Sequence, residues 1–402
     1  MKVLPHKTER IHSLDSLRAI MMLLGIVFHS AIPYMVTDIG FNKDQKATHI
    51  SIDVIFSLVH SFRMPVFMVV AGFFGALLFY ERGTLKMLKN RASRVLFPFI
   101  VFLLLFYPTL QFSWIYADAV FAGSEDSIGQ AVAFFSDFLT YLPGSTWHLW
   151  FLYYLIYFTI GSVLIALVFK KLPNVSIKIS QAFNWVFQKP FLRVFVFAAM
   201  TGIIFLIMGD SSIPHSSSFI PDINVFIFYF SFYMVGWILF KSKQLLAGFK
   251  QLDWMCTILA LILFAIGLTL TDITPYQDIS KVIVQSLTIW LFIFGITGLF
   301  IRYASNHSAR MRYISDASYW VYLVHYTLTI FIAPLLVGWD VHATIKFLTV
   351  MISTTIISFA TYHYLVRSTF IGKFLNGRKY SRKIADIRKL EELRYLKPAL
   401  DK

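Results

Sequence analysis

Five side chains that can carry charge stand deep in apolar stretches of this sequence: His29, His60, Arg63, His148 and His325, with His363 near the end of another. A charged group in hydrocarbon costs about 2.5–3.5 kcal/mol even on the lenient insertion scale, so each is a candidate for function. Beyond the terminal Asp15, no carboxylate is expected at membrane depth. Proton relays in pumps ordinarily use buried carboxylates, so a general base here has to be histidine. Arg63 is the hardest to treat as packing. It cannot neutralise, and without an intramembrane acid it needs backbone carbonyls, water or an anionic substrate, so it is expected to face substrate. A lone transmembrane histidine serves interhelical hydrogen bonding as readily as chemistry, and that alternative stays open for His60 and His148.

Spacing groups these residues. Arg18 and His29 lie eleven residues apart, which on a helix returns to nearly the same face at an axial separation of about 16 Å. One face thus carries a cation at the membrane boundary and an imidazole near mid-membrane. His325 stands at a similar depth, roughly 15 Å from the start of its own run, so two imidazoles can line one cavity. His60 and Arg63, three apart on one face, enter from the opposite side, as does His148 in WHLWFL. Arg91 and Arg94 have two readings: a charge run that sets topology, or a phosphate clamp of guanidiniums at i and i+3 near a helix N-terminus. The single cysteine, Cys256, excludes an intrachain disulfide and a Cys-rich metal site, and no neighbouring His or Lys activates its thiol. No metal is expected.

Only a membrane can be the solvent for the elements that position these groups. The chain of 402 residues is 57% apolar, 18% aromatic and 14% charged, with mean hydropathy +0.67, against about 25% charged in a soluble domain. Ten runs approach the spanning length of about 20 residues: Asp15–Val36, Ile52–Tyr80, Val95–Ala117, Thr146–Phe169, Phe191–Met208, Ile223–Phe240, Trp254–Thr271, Val282–Ile301, Ala317–Leu336 and Thr344–Val366. The first has no cleavage site after it and is read as a retained span. The second is overlong, so tilt, a kink at Pro65 or a half-inserted start is expected.

Basic residues set the orientation. With the N-terminus inside, Arg82, Lys86, Lys89, Arg91 and Arg94 fall in the first inner loop, Lys170, Lys171, Lys178, Lys189 and Arg193 in the second, Lys241, Lys243 and Lys250 in the third, and Arg302, Arg310 and Arg312 in the fourth. Together with the N-terminal segment and the tail, 31 of 36 Lys and Arg lie inside. The expected fold is an all-α membrane protein, a polytopic bundle of about ten transmembrane helices with both termini cytoplasmic. Residues 1–372 form the membrane domain. Residues 373–402 form a basic cytoplasmic tail, in which Ile384, Ile387, Leu390, Leu393 and Leu396 recur as on an amphipathic helix lying on anionic lipid. A solubilising tail is the alternative. The net charge of +15 sits between apolar runs, not as a stripe on a polar surface, so no nucleic-acid partner is expected.

Several motifs resemble a known family. Arg18, ten residues and His29 are similar to the first-helix Arg-x10-His pattern of the acyltransferase-3 family, and Arg91-x-x-Arg94 resembles its third-helix Arg-x-x-Arg pattern. The stretches LDSLRAIMMLLGIVFH, HSFRMPVFMVVAGFF, HLWFL at His148 to Leu152 and YLVH at Tyr322 to His325 resemble the branch that succinylates osmoregulated periplasmic glucans. The resemblance runs from residue 14 to about residue 370. It implies an O-acyltransferase that takes a succinyl or acetyl group from cytoplasmic acyl-CoA, with no tightly bound cofactor, and delivers it to hydroxyls of a periplasmic glucan or cell-surface glycan. Carried over by position, His29 is the catalytic histidine and Arg18, Arg91 and Arg94 serve the donor. Arg63 and His325 are further candidates for the reaction centre, and His60 and His148 for substrate binding. Tyr326 and Thr327 depart from the His and Pro expected in the glucan branch, so acceptor or acyl group is expected to differ. No hydrolase-like domain follows, so transfer is expected to finish in the membrane or on a partner. The rival reading is a transporter or flippase for an anionic glycan precursor, with the same arginines as its path.

Overall fold

The computed structural model describes residues 11–41, 43–270 and 275–381. Among these every regular element is helical. The chain opens with α1 (His12–Ala31) and α2 (Ile50–Arg82); α3 (Thr84–Arg91) then runs through a π-helical turn, Ala92–Leu96, into α4 (Phe97–Phe121). A short α5 (Ser127–Ala133) precedes α6 (Trp150–Lys171), α7 (Pro173–Phe187), α8 (Pro190–Met208) and α9 (Ile223–Lys241). After a 3₁₀ segment at Lys243–Gln251 come α10 (Asp253–Thr269), α11 (Pro275–Tyr303), α12 (Ala309–Ile332), α13 (Ala343–Thr361) and α14 (Phe370–Asn376).

Nine helices among the described residues are long and apolar enough to cross a bilayer: α1, α2, the joined α3 and α4, α6, α8, α9, α11, α12 and α13. α10 meets its 3₁₀ segment at a bend of 69°, and that pair counted as one gives a tenth. The chain is a multi-pass membrane protein. Its helices are apolar on both faces because lipid, not water, lies outside: α4 buries Phe99, Phe102 and Leu103 and turns Ile100, Leu104 and Leu105 outward.

α2 and α9 form the centre. Gly72 of α2 lies against the Tyr233 carbonyl and Gly236 of α9 against the Val69 carbonyl, so that a Cβ at either would strike backbone. Lipid gives helices no hydrophobic drive to associate, and close backbone approach through small residues supplies the contact instead. α2 is continuous for 33 residues with Pro65 inside, so the overlong run is one helix.

Two expected loop cations belong to the core. Arg193 is 2% exposed in the first turn of α8, its guanidinium 4.6 Å from the Phe249 ring and 4.8 Å from that of Phe294. Arg367 is 1% exposed, donates to the Ser381 carbonyl and lies over the Tyr313 and Tyr380 rings. Aromatic faces supply the partial negative charge these cations need. At the far end Asp53, in the first turn of α2, accepts from the backbone N–H groups of Val36 and Thr37 at 2.8 Å each. There too Lys346 of α13 pairs with Asp44 at 2.7 Å, both nearly fully buried. The division at 372/373 falls inside α14, which packs on the bundle; the expected tail helix beyond Ser381 lies outside the described residues.

Candidate active site

Three helices bring imidazoles together. The His325 ring of α12 lies 5.2 Å from that of His29, in the last turn of α1, and 5.6 Å from that of His148, in the 3₁₀ turn Trp147–Leu149 ahead of α6. Tyr326 adjoins them, 4.5 Å from His29 and 5.0 Å from His148. His29 stands in the last turn of α1, so the cluster lies toward the end of that helix away from Arg18. His60 is set apart. Its ring packs on Phe28 and Phe56, at 5.4 and 5.8 Å, behind the layer the other three form.

Backbone contacts fix two tautomers. His325 Nδ1 lies 2.7 Å from the Tyr322 carbonyl and His148 Nε2 3.2 Å from the Leu323 carbonyl. A carbonyl can only accept, so each of these nitrogens carries a hydrogen, and in the uncharged form of the ring the other nitrogen keeps a lone pair. Those others, His325 Nε2 and His148 Nδ1, are buried with no hydrogen-bond partner, and so is His29 Nδ1. Buried polar atoms are ordinarily paired, and three bare nitrogens in one place mark a site built for something else to bind.

Arg63 reaches the same place from α2. Its guanidinium stacks 4.7 Å from the Phe28 ring, and its Nε is buried with no hydrogen-bond partner. Arg63 Nη1 and His325 Nε2 each lie 2.9 Å from the point a Cβ on Gly25 would occupy. Gly25 therefore keeps open a notch between cation and imidazole. Sequence reading passed it over; its only signal is a missing side chain about one turn before His29.

Toward the basic end a cavity of about 440 Å3 opens, lined by Arg18, Arg82, Arg91, Arg94 and Arg378 with the acids Asp15 and Asp316. Its floor is Met22, Phe67 and Phe151. These stand one helical turn from Gly25, Arg63 and His148, so the cavity stops one turn short of the imidazoles. The Phe67 and Phe151 rings, 4.5 Å apart edge to face, form that layer. Arg91 leaves Nε and one terminal nitrogen buried without a hydrogen-bond partner. Arg18 sits 3.4 Å from the Asp15 carboxylate and over Phe74. Arg94 donates to the carbonyls of Lys373 and Phe374 at 3.3 and 2.9 Å, capping α14. The chain runs helically through Arg91 and Arg94, so the helix N-terminus expected beside them does not exist. Arg82, read in the sequence only as an inner-loop charge, and Arg378, which sequence reading did not single out, also line it.

At the opposite end a vestibule of about 30 Å3 is lined by His29, Phe41, Trp114, Asp118 and Tyr326 among others. The connection 209–222 crosses beside it: the N–H and hydroxyl of Thr146 both donate to the Ser217 carbonyl, at 2.7 and 2.8 Å. His215 on this connection is held below the usual imidazole range by burial. Among the described residues no group of three His, Cys, Asp or Glu has an arrangement that would hold a metal ion.

A helical membrane bundle with a cationic cavity on one side of an unpaired imidazole cluster is consistent with transfer chemistry, and comparison with known proteins gives the class. The chain belongs to the acyltransferase-3 family: the family model described as acyltransferase domain matches residues 11–363. It is thus a membrane acyltransferase moving groups other than aminoacyl groups. Similar proteins include glucans biosynthesis protein C of Escherichia coli K12 and of Escherichia coli O157:H7, each 28% identical over 342 residues, 81% of this chain and 84% of the relative. No solved structure matches.

Proposed function

We propose that the protein moves a succinyl or acetyl group from acyl-CoA, held in the arginine-lined cavity on the cytoplasmic side, to a hydroxyl of a periplasmic glucan or cell-surface glycan across a bacterial inner membrane. The observation that carries this reading is the notch at Gly25, where Arg63 and the free Nε2 of His325 converge beside His29, between two cavities of opposite character.

The arginines match the phosphates of CoA by charge and by their planar donors. The thioester arm passes the Phe67 and Phe151 rings when these rotate apart. His29, neutral and facing the vestibule, takes the proton of the acceptor hydroxyl, a contribution of about 10²–10⁴ in rate. The hydroxyl oxygen bonds to the thioester carbonyl carbon, and the carbonyl oxygen becomes an oxyanion beside Arg63, stabilisation of a kind worth about 10²–10³. Collapse re-forms the carbonyl and breaks the carbon–sulfur bond. The proton on the imidazole passes, by way of His325, to the departing CoA thiolate, so the ester and free CoA leave with protons balanced. His148 adjoins the centre, where its free Nδ1 accepts from a substrate hydroxyl, and Arg63 is the cation that holds the carboxylate of a succinyl group. A transporter of an anionic glycan needs a path as wide as a sugar, whereas an acyl arm needs only the width that opens when the Phe67 and Phe151 rings part.

Glycans from cells with and without the gene, compared by mass spectrometry, test this directly. Acyl esters are expected only with the intact chain, and the His29→Ala variant is expected to insert and fold yet leave the glycan bare. Full acylation in that variant would overturn the assignment.

A further inference from the structure

The vestibule beside His29 has a lining that the acyl-transfer steps do not use. Trp114 of α4 stands at its wall, its ring 5.1 Å from Phe41 and 5.2 Å from Trp147, and Trp147 continues to Tyr326 at 6.4 Å. Interplanar angles of 67°, 59° and 47° show that these rings are not stacked face to face on one another. The Trp114 side chain hydrogen-bonds Asp118, one turn on along the same helix, which fixes the plane of the indole. Trp147 has φ +48°, the only positive value at a non-glycine position among the described residues. A bulky residue held there costs on the order of 1–3 kcal/mol and persists only where its surroundings over-determine it. The two Thr146 bonds to Ser217 and the Trp114 ring supply that constraint. The strained backbone thus holds the Trp147 indole beside two residues that line the vestibule, Trp114 and Tyr326.

Size and charge narrow what binds. A space of about 30 Å3 accepts a hydroxyl and the carbon that bears it, while a six-membered ring has to stay on the rim. No residue lining the vestibule is Lys or Arg, so an anionic headgroup or phosphate has no partner there. Flat aromatic faces together with one carboxylate suit a molecule with apolar C–H faces and hydroxyl edges, which is a pyranose.

We propose that this vestibule is the acceptor sugar subsite: Trp114 and Phe41 stack on the face of a sugar ring, Trp147 bounds it, and Asp118 accepts from a ring hydroxyl, leaving one hydroxyl to reach His29. The proposal deepens the acyltransferase reading and rests on it for the direction of the hydroxyl. The residues act by positioning, through affinity for the acceptor. Purified full-length protein in lipid nanodiscs, titrated with a β-linked glucan oligosaccharide and followed by calorimetry, tests it. Wild type is expected to bind, Trp114→Ala to weaken binding about tenfold or more, and Trp114→Phe, which keeps a stacking face, to lose less. Phe41→Ala, in the outer connection where folding is least at risk, and Asp118→Asn are expected to weaken it by smaller factors. Acyl-CoA consumption by the wild type in the same nanodiscs reports separately on the enzymatic reading. Equal glucan affinity in Trp114→Ala and Phe41→Ala, or no glucan binding by wild type, would overturn the subsite whether or not acyl-CoA is consumed.

Discussion

The cavity at the basic end and the vestibule at the other differ in almost every physical respect. The first has about 440 Å3 and five arginines among its lining residues; the second has about 30 Å3, aromatic rings among its lining and no Lys or Arg. A volume lined by fixed planar cations recognises charge and tolerates a long flexible molecule. A shallow lining of rings recognises shape and excludes charge, which costs too much to desolvate there. Between them lie neutral imidazoles and one buried arginine, the only place where both kinds of ligand meet. On the proposed function, the difference is how one bundle separates a charged soluble donor from an uncharged acceptor: by electrostatics at one end, by stacking at the other, with an aromatic layer between them.

The comparison is broken most severely in the middle. His29→Ala is expected to lower glycan acylation by about 10²–10⁴ with the melting temperature of the detergent-solubilised protein retained. Arg63→Lys, which keeps the charge and loses the fork, is expected to lower kcat by about 10²–10³ at saturating acyl-CoA; a change confined to KM would place Arg63 in binding alone. Gly25→Ala sharpens the picture by adding a single methyl. It meets Arg63 and His325 at 2.9 Å, and the displaced groups are expected to cost about tenfold to 10² in kcat, with acyl-CoA affinity unaffected in calorimetry. At the basic end Arg91→Ala is expected to raise the KM for acyl-CoA about tenfold and leave that for the glycan alone. The smallest effect on chemistry, though not on stability, is expected at the buried Asp44–Lys346 pair. Lys346→Met leaves an unpaired buried carboxylate and costs about 3–5 kcal/mol, read as a lowered unfolding midpoint, and adding Asp44→Asn recovers part of it.

Hydropathy made the spans legible, since lipid forces every crossing into a long apolar helix. The limits of that legibility are physical too. Arg193 and Arg367 look like topology signals in the sequence because a Lys or Arg beside an apolar run ordinarily is one; only the aromatic rings around them, contributed by distant helices, show them to be core. α7 and α14 escaped notice because they are short and mixed in polarity, without the length that marks a span. His29 and His325 could be assigned similar depths by counting residues, but the carbonyl contacts that fix the tautomers of His148 and His325 depend on packing between helices. Gly25 was invisible for the simplest reason: its contribution is an absence of atoms. The vestibule draws Phe41, Trp114 and Tyr326 from separate segments, and no periodicity within one helix links them.

The central claim is that donor and acceptor reach one imidazole cluster from opposite faces of the membrane. Proteoliposomes carrying the protein in one orientation, with radiolabelled acyl-CoA on one side and glucan on the other, test it most directly. Labelled glucan is expected only when acyl-CoA is on the arginine face and glucan on the vestibule face, and His29→Ala is expected to remove it. Equal labelling with both substrates on the same face would contradict the account.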